Sequence, residues 1–187
     1  YEGFLEWKAE MKLDQEDKTI QNKRALNYIL DYFNRVDNKE FDDLIHQAAE
    51  IIVNSHEVIC SGIGLSDAIA KFAASLFNRK GKRTMYSGDF SSRFRGMYDQ
   101  NDCALFFTVS GETREIIDRI KDLKKYDIKI IVITNSASST AAKMSDLALT
   151  YYMPSTKNGD FYSSATQVPV LYIIESIANL FIEYGIY

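Results

Sequence analysis

Histidine is nearly absent from this chain: its 187 residues include only His46 and His56, both ahead of the first strand-like run. Chemistry that needs an imidazole as base or metal ligand therefore has few places to sit. Both are read as surface or structural neighbours of a helix, although a second subunit can bring either one to a site. Cysteine is as scarce. Cys60 and Cys103 lie inside apolar runs with no partner at zinc spacing, which reads as two buried, reduced thiols. A cysteine-based phosphatase loop would need an arginine six residues after Cys60, where Ser66 stands. A basic excess is also missing: 22 Lys and Arg against 26 Asp and Glu argue against a duplex-binding surface. Tyr151-Tyr152 and Tyr184 to Tyr187 lack basic interleaving and are expected to pack at edges and interfaces, not against bases. The one basic group, Arg79-Lys80-Gly81-Lys82-Arg83, is expected to solvate a helix C-terminus. No run approaches the roughly eighteen apolar residues of a membrane span, and no signal peptide is evident. A soluble cytoplasmic protein without membrane contact is the expectation.

What is present is enough for a core. At 46% hydrophobic and 26% charged, the composition suits one α/β domain with additional helix. Leu26, Ile29, Leu30 and Phe33 recur at helical spacing, as do Phe41, Leu44, Ile45 and Ala48. Asp37-Asn38-Lys39 separates the two patterns and can supply an N-cap. Phe4-Leu5-Glu6-Trp7-Lys8 reads as the tail of a helix and Asp14-Gln15-Glu16-Asp17 as a linker. Residues 1–37 are thus expected to form a linker and helix, and 38–187 the main domain. From Glu57 onward, apolar runs at Val58–Cys60, Thr84–Tyr86, Cys103–Val109, Ile128–Thr134 and Leu147–Tyr152 alternate with amphipathic stretches. That alternation predicts an α/β fold, a five-stranded parallel sheet with helices on both faces in the flavodoxin-like order 2-1-3-4-5. Val168–Phe181 is apolar on nearly all sides, so it is expected to be buried in the core or against another subunit. A dimer or tetramer follows from it.

The third strand runs straight into Ser110-Gly111-Glu112-Thr113 and then a helix. Free N–H groups at a helix N-terminus attract anions, a glycine lets backbone approach, and two hydroxyls add donors. An ordinary capped helix start is the alternative. The first strand ends in Ser61-Gly62-Ile63-Gly64-Leu65-Ser66, which approaches a dinucleotide fingerprint until Asp67 takes the place of the third glycine. Its expected role is to place Ser66 opposite Ser110 across a crevice.

These two loops, on these strands, resemble the SIS (sugar isomerase) domain, above all the version in RpiR-type bacterial transcription regulators. Gly62-Ile63-Gly64-Leu65-Ser66 is similar to the family's first loop, and the run Asp102 to Thr113 to its strand and S-G-x-T phosphate loop. Ile131 to Asn135 with Ser138, Ser139 and Asp146, and Ser163-Ser164 before the last helix, extend the likeness from about Glu40 to Tyr187. The resemblance implies a phosphorylated sugar or amino sugar, with phosphate on Ser110, Gly111, Glu112 and Thr113. It places Gly62, Gly64 and Ser66 beside them and Ser163 closing over the ligand. Glu112 would give its backbone N–H while its carboxylate points away or accepts from a sugar hydroxyl. Gly3 to Trp7 resembles the end of the helix-turn-helix domain such regulators carry upstream, so DNA is expected to be bound only through that missing domain. No cofactor or metal is expected. Isomerisation needs a base near the crevice, and only Glu175, in the apolar helix, offers itself besides the histidines. A sensor without enzymatic activity is the expectation, and an aldose–ketose isomerase the alternative. The loop also resembles a flavin phosphate loop, which would however follow the first strand and not the third.

Overall fold

The computed structural model describes residues 26–90, 98–154, 156–158, 162–164 and 166–186. The helix tail and linker expected within residues 1–25 lie outside them. The chain divides into two compact units, Tyr1–Asp37 and Asn38–Tyr187. In the first, residues 26–36 form helix α1, whose Tyr32 and Phe33 rings meet edge-on at 5.4 Å.

The second unit opens with α2 (Lys39–Asn54). The Asn38 side chain accepts from Phe41 N–H at 2.9 Å, and Glu40 and Asp42 in the first turn complement the helix dipole. Phe41, Ile45, Ala48, Ala49 and Ile52 form its buried stripe. The sheet comprises β1 (Val58–Gly62), β2 (Thr84–Tyr86), β3 (Cys103–Thr108), β4 (Lys129–Thr134) and β5 (Leu147–Thr150). All pairs are parallel, in the order β2-β1-β3-β4-β5, as expected from the alternation.

The three central strands are covered on both faces, which explains their near-continuous apolar sequence. On one face Ile59, Ala104, Phe106, Ile130 and Val132 pack with Ile116, Ile120 and Leu123 of α4 (Arg114–Lys124) and Ala141 of α5 (Thr140–Met144). Helix α3 (Leu65–Arg79) packs on β1, β2 and α6 (Val168–Leu180), and α2 also packs on α6. Phe77 meets Phe181 edge-on at 5.1 Å, and Phe41 stacks on Tyr172 at 6.1 Å. Each large side chain buried this way stabilises by about 1.5–3 kcal/mol. A short antiparallel hairpin, β6 (Thr156–Asn158) with β7 (Tyr162–Ser164), precedes α6 and has no counterpart in the sequence expectation.

Two features add to the sequence reading. Helix α6 is not sealed all round: Val170, Ile173, Ile174 and Ile177 are buried, while Val168, Tyr172, Glu175 and Asn179 face outward. The basic group after α3 is not a uniformly solvated cluster either. Gly81 takes a positive φ of 89° and closes α3, with Gly81 N–H bonded to Asn78 O and Lys82 N–H to Phe77 O. This turn sends Lys82 inward, only 6% exposed, where its ammonium donates to Val53 O and Ser55 O at the end of α2. Helix α2 has no basic residue in its own last turn, and Lys82 supplies one.

Candidate functional site

Strand register decides which loops share a rim. Gly62 pairs with Phe107, Thr108 with Thr134, and Thr134 with Thr150, so the carboxyl ends of β1, β3, β4 and β5 lie side by side. This is the crevice side of a parallel sheet. It brings the loop Gly62–Ser66 next to the loop Val109–Thr113.

In the second loop Gly111 adopts φ 67°, a left-handed conformation that glycine tolerates best. A Cβ there would also collide with the Ser139 side chain and lie 3.1 Å from Thr134 Oγ1. The loop is tied down from several sides. Gly111 N–H donates to Thr108 Oγ1 at 3.2 Å, and Thr134 Oγ1 donates to Val109 O at 3.3 Å. Glu112 N–H donates to Ser110 Oγ at 3.2 Å, an exposed bond. The Glu112 side chain turns away from its own helix and accepts from Thr140 N–H at 2.7 Å. That bond holds the Glu112 carboxyl below the usual glutamate range. Thr113 is the N-cap of α4, yet its side chain makes no capping hydrogen bond. The first-turn amides of α4 thus lack the side-chain acceptor that Asn38 gives α2 and Ser139 gives α5.

The first loop is built to the same plan. Gly64, at φ 64°, precedes α3 and supplies no side-chain cap. A Cβ on Gly62 would overlap the carbonyl of Ser66, so the first turn of α3 sits directly over the strand end. Ser66 is 6% exposed within that turn. Where a third glycine was absent, Asp67 accepts from the Tyr86 hydroxyl and pairs with Lys71 at 2.8 Å. Lys71 and Tyr86 hold the Asp67 carboxyl below the usual range, and Asp67 in turn raises the Tyr86 phenol. This cluster fastens the end of β2 to α3.

Of the residues singled out from sequence, Gly62, Gly64, Ser66, Ser110, Gly111, Glu112 and Thr113 fall on these two neighbouring loops. Ser163 lies on β7, paired with Lys157, and its side chain is outside the described residues. Thr108, Thr134 and Thr140 carried no signal of their own; only strand register and the fold around Gly111 bring them in. His56 sits at the amino end of the sheet, its Nδ1 3.7 Å from Asp102 and its side chain 71% exposed. His46 is exposed on α2 and Glu175 on α6. Both thiols are buried and unpaired with each other, and burial pushes the Cys103 thiol up to about 12, which suits packing and not nucleophilic chemistry. No helix among the described residues is long and apolar enough to cross a membrane, and no described group of His, Cys, Asp or Glu is arranged to hold a metal ion.

The fold has counterparts among known proteins. An uncharacterized HTH-type transcriptional regulator of Thermotoga maritima is 28% identical over 149 residues, 77% of this chain and 52% of that protein. The arabinose 5-phosphate isomerase of Francisella tularensis is 30% identical over 123 residues, 60% of this chain and 36% of that one. The chain thus spans about half, or less, of the length of these curated relatives. Among solved structures, the Vibrio vulnificus NanR protein complexed with ManNAc-6P superposes with a TM-score of 0.73 at 22% identity, covering 89% of this chain and 62% of that one. At that identity the likeness shows the fold. The SIS domain family model matches residues 51–173, and the chain belongs to the SIS domain family.

Proposed function

We propose that this chain is the sugar-phosphate-binding sensor domain of an RpiR-type transcription regulator, whose occupancy controls DNA binding by an upstream helix-turn-helix domain. One observation carries the reading. The start of α4, lacking a side-chain cap, meets Ser110, Gly111 and Thr113 at the carboxyl rim of the sheet, beside the first loop. A dianionic phosphate suits that helix start, where its oxygens would accept from first-turn amides and from the two hydroxyls. The exposed bond from Glu112 N–H to Ser110 Oγ is one a phosphate oxygen would replace. Gly62, Gly64 and Ser66 would receive the sugar, with Ser163 closing over it. The regulator relatives support a role in transcription regulation, and the NanR complex with ManNAc-6P supports a phosphorylated sugar or amino sugar as effector. The length of those relatives beyond this chain accommodates a DNA-binding domain. A homodimer or tetramer would use the outward face of α6.

The second reading, an aldose–ketose isomerase, is favoured by the isomerase relatives. Against it, His56 lies at the amino end of the sheet and His46 and Glu175 are exposed on helices, so this chain brings none of them to the rim as an evident base. Thermal-shift measurements over phosphorylated sugars and their unphosphorylated counterparts test the sensor reading. A sugar phosphate at a hundred times its dissociation constant should stabilise by about 2.7 kcal/mol, and the free sugar should do nothing. Equal shifts from both would overturn the phosphate cradle. Proton exchange from a bound sugar phosphate into solvent would favour the isomerase.

A further inference from the structure

Two helices begin at this rim within thirty residues of each other, and the chain treats their ends differently. The first-turn amides of α5 are all taken: Thr140 N–H by Glu112 Oε1 at 2.7 Å, Ala141 N–H by Gly111 O at 3.0 Å, and Ala142 N–H by Ser139 Oγ at 3.3 Å. Two of those three acceptors come from the loop that opens α4. Gly111 can lend its carbonyl only because it has no Cβ to strike Ser139. Glu112, next in sequence, adds a full negative charge to the positive end of α5. The start of α4 receives no comparable side chain.

We infer that Glu112 is a positioning residue: its carboxylate clamps the Ser110–Thr113 loop to the start of α5, so that the loop's amides and hydroxyls are held where an incoming phosphate meets α4. The inference deepens the phosphate reading above and rests on it. A carboxylate so close to a phosphate site is repulsive in isolation. Spent on Thr140, it turns instead into the support that holds the loop's amides and hydroxyls in place.

The test uses the whole chain, two variants and two readouts. Amide hydrogen exchange at Thr140 reports the clamp without any ligand, and titration with inorganic phosphate, followed at the Ser110–Thr113 amides, reports the anion site. Glu112→Ala should speed Thr140 exchange and weaken phosphate binding about tenfold, the size of one lost supporting contact. Glu112→Gln keeps an oxygen that accepts from Thr140 while removing the charge. It should leave Thr140 protected and bind phosphate about threefold more tightly, as expected for one screened charge. A role confined to stability would leave phosphate affinity unchanged in both variants and overturn the inference. Glu112→Gln weakening phosphate as much as Glu112→Ala, with Thr140 still protected, would overturn it too, because the kept hydrogen bond would then not be what supports the loop. If Glu112→Ala fails to fold, the sign of the change in Glu112→Gln decides alone. If phosphate leaves the wild-type loop amides unmoved, the phosphate reading falls and this role with it, whatever Thr140 does.

Discussion

The two ends of the sheet use their polar groups in opposite ways. At the amino end, polar side chains answer one another and the backbone. Asp102 accepts from Glu57 N–H at 3.1 Å and Asp99 N–H at 2.9 Å, and Asp146 accepts from Ile130 N–H at 2.8 Å. Lys82 donates into the end of α2, and Arg83 pairs with Glu57 at 2.8 Å. At the carboxyl end, α3 and α4 start on glycine and threonine without side-chain caps. Polar groups bonded within the chain stabilise the fold, and helix ends left without caps are available to a ligand. A cavity of about 320 Å³ does open at the amino end, between Glu50, Asn54, Gln100 and Lys129. Asp102 on its wall is already engaged by two amides, and Lys129 lies 3.7 Å from Asp146. The chemistry therefore points to the carboxyl rim, although a hollow also lies at the other end.

Substitutions at the two ends should separate stability from binding. Asp102→Ala strands two amides beneath a residue that is 6% exposed, and should cost about 3 kcal/mol while leaving sugar-phosphate affinity unchanged. Urea unfolding and a ligand titration on the same variant read both quantities. A loss of affinity without a loss of stability would reverse the assignment of the ends. Gly111→Ala crosses the divide, because its Cβ meets Ser139 and its φ is positive. It should cost about 1–3 kcal/mol and abolish binding. Ser110→Ala and Thr113→Val should each weaken binding about tenfold with stability changed by less than about 0.5 kcal/mol. Wild-type affinity in both would place the anion elsewhere.

Much of this was legible in the sequence for a physical reason. A strand covered on both faces must be apolar throughout, so Cys103–Thr108 and Lys129–Thr134 announce themselves, and parallel strands then demand the helices between them. Ser110 to Thr113 was legible because small and hydroxyl residues at a strand–helix junction contribute little to a core and suit an anion well. Pairings distant in sequence left no trace: Glu112 meets Thr140 28 residues on, and Lys82 meets Ser55 27 residues back. A run of basic residues looks solvated until a glycine turn points one of them inward. The outward face of α6 was hidden by composition, since a helix so nearly apolar shows no polar stripe and only packing shows Val168 and Tyr172 exposed. Helix α5, five residues long, is too short to show a period.

The smallest expected effect concerns the corner of the carboxyl rim beside β2. Tyr86 donates to Asp67, Lys71 completes the cluster, and a Cβ on Gly88 would overlap the Tyr86 hydroxyl, so the phenol is held against the backbone as well. The Asp67 carboxyl is held below its ordinary value, so its contribution is present above the ordinary aspartate range and lost as pH falls through the lowered value. The Tyr86 phenol is raised, so its contribution is present below the ordinary tyrosine range and lost as pH rises through the raised value. Tyr86→Phe should therefore cost about 1 kcal/mol or less at neutral pH, since the cluster is partly exposed and Lys71 remains on Asp67. The difference from wild type should shrink at both extremes, and denaturant unfolding from acid to alkali would trace it. A cost independent of pH would mean that the ring only packs, and that this corner belongs with the apolar core and not with the polar rim. Because the cluster abuts the loop carrying Gly62 and Ser66, the same variant should shift sugar-phosphate affinity far less than Ser110→Ala does.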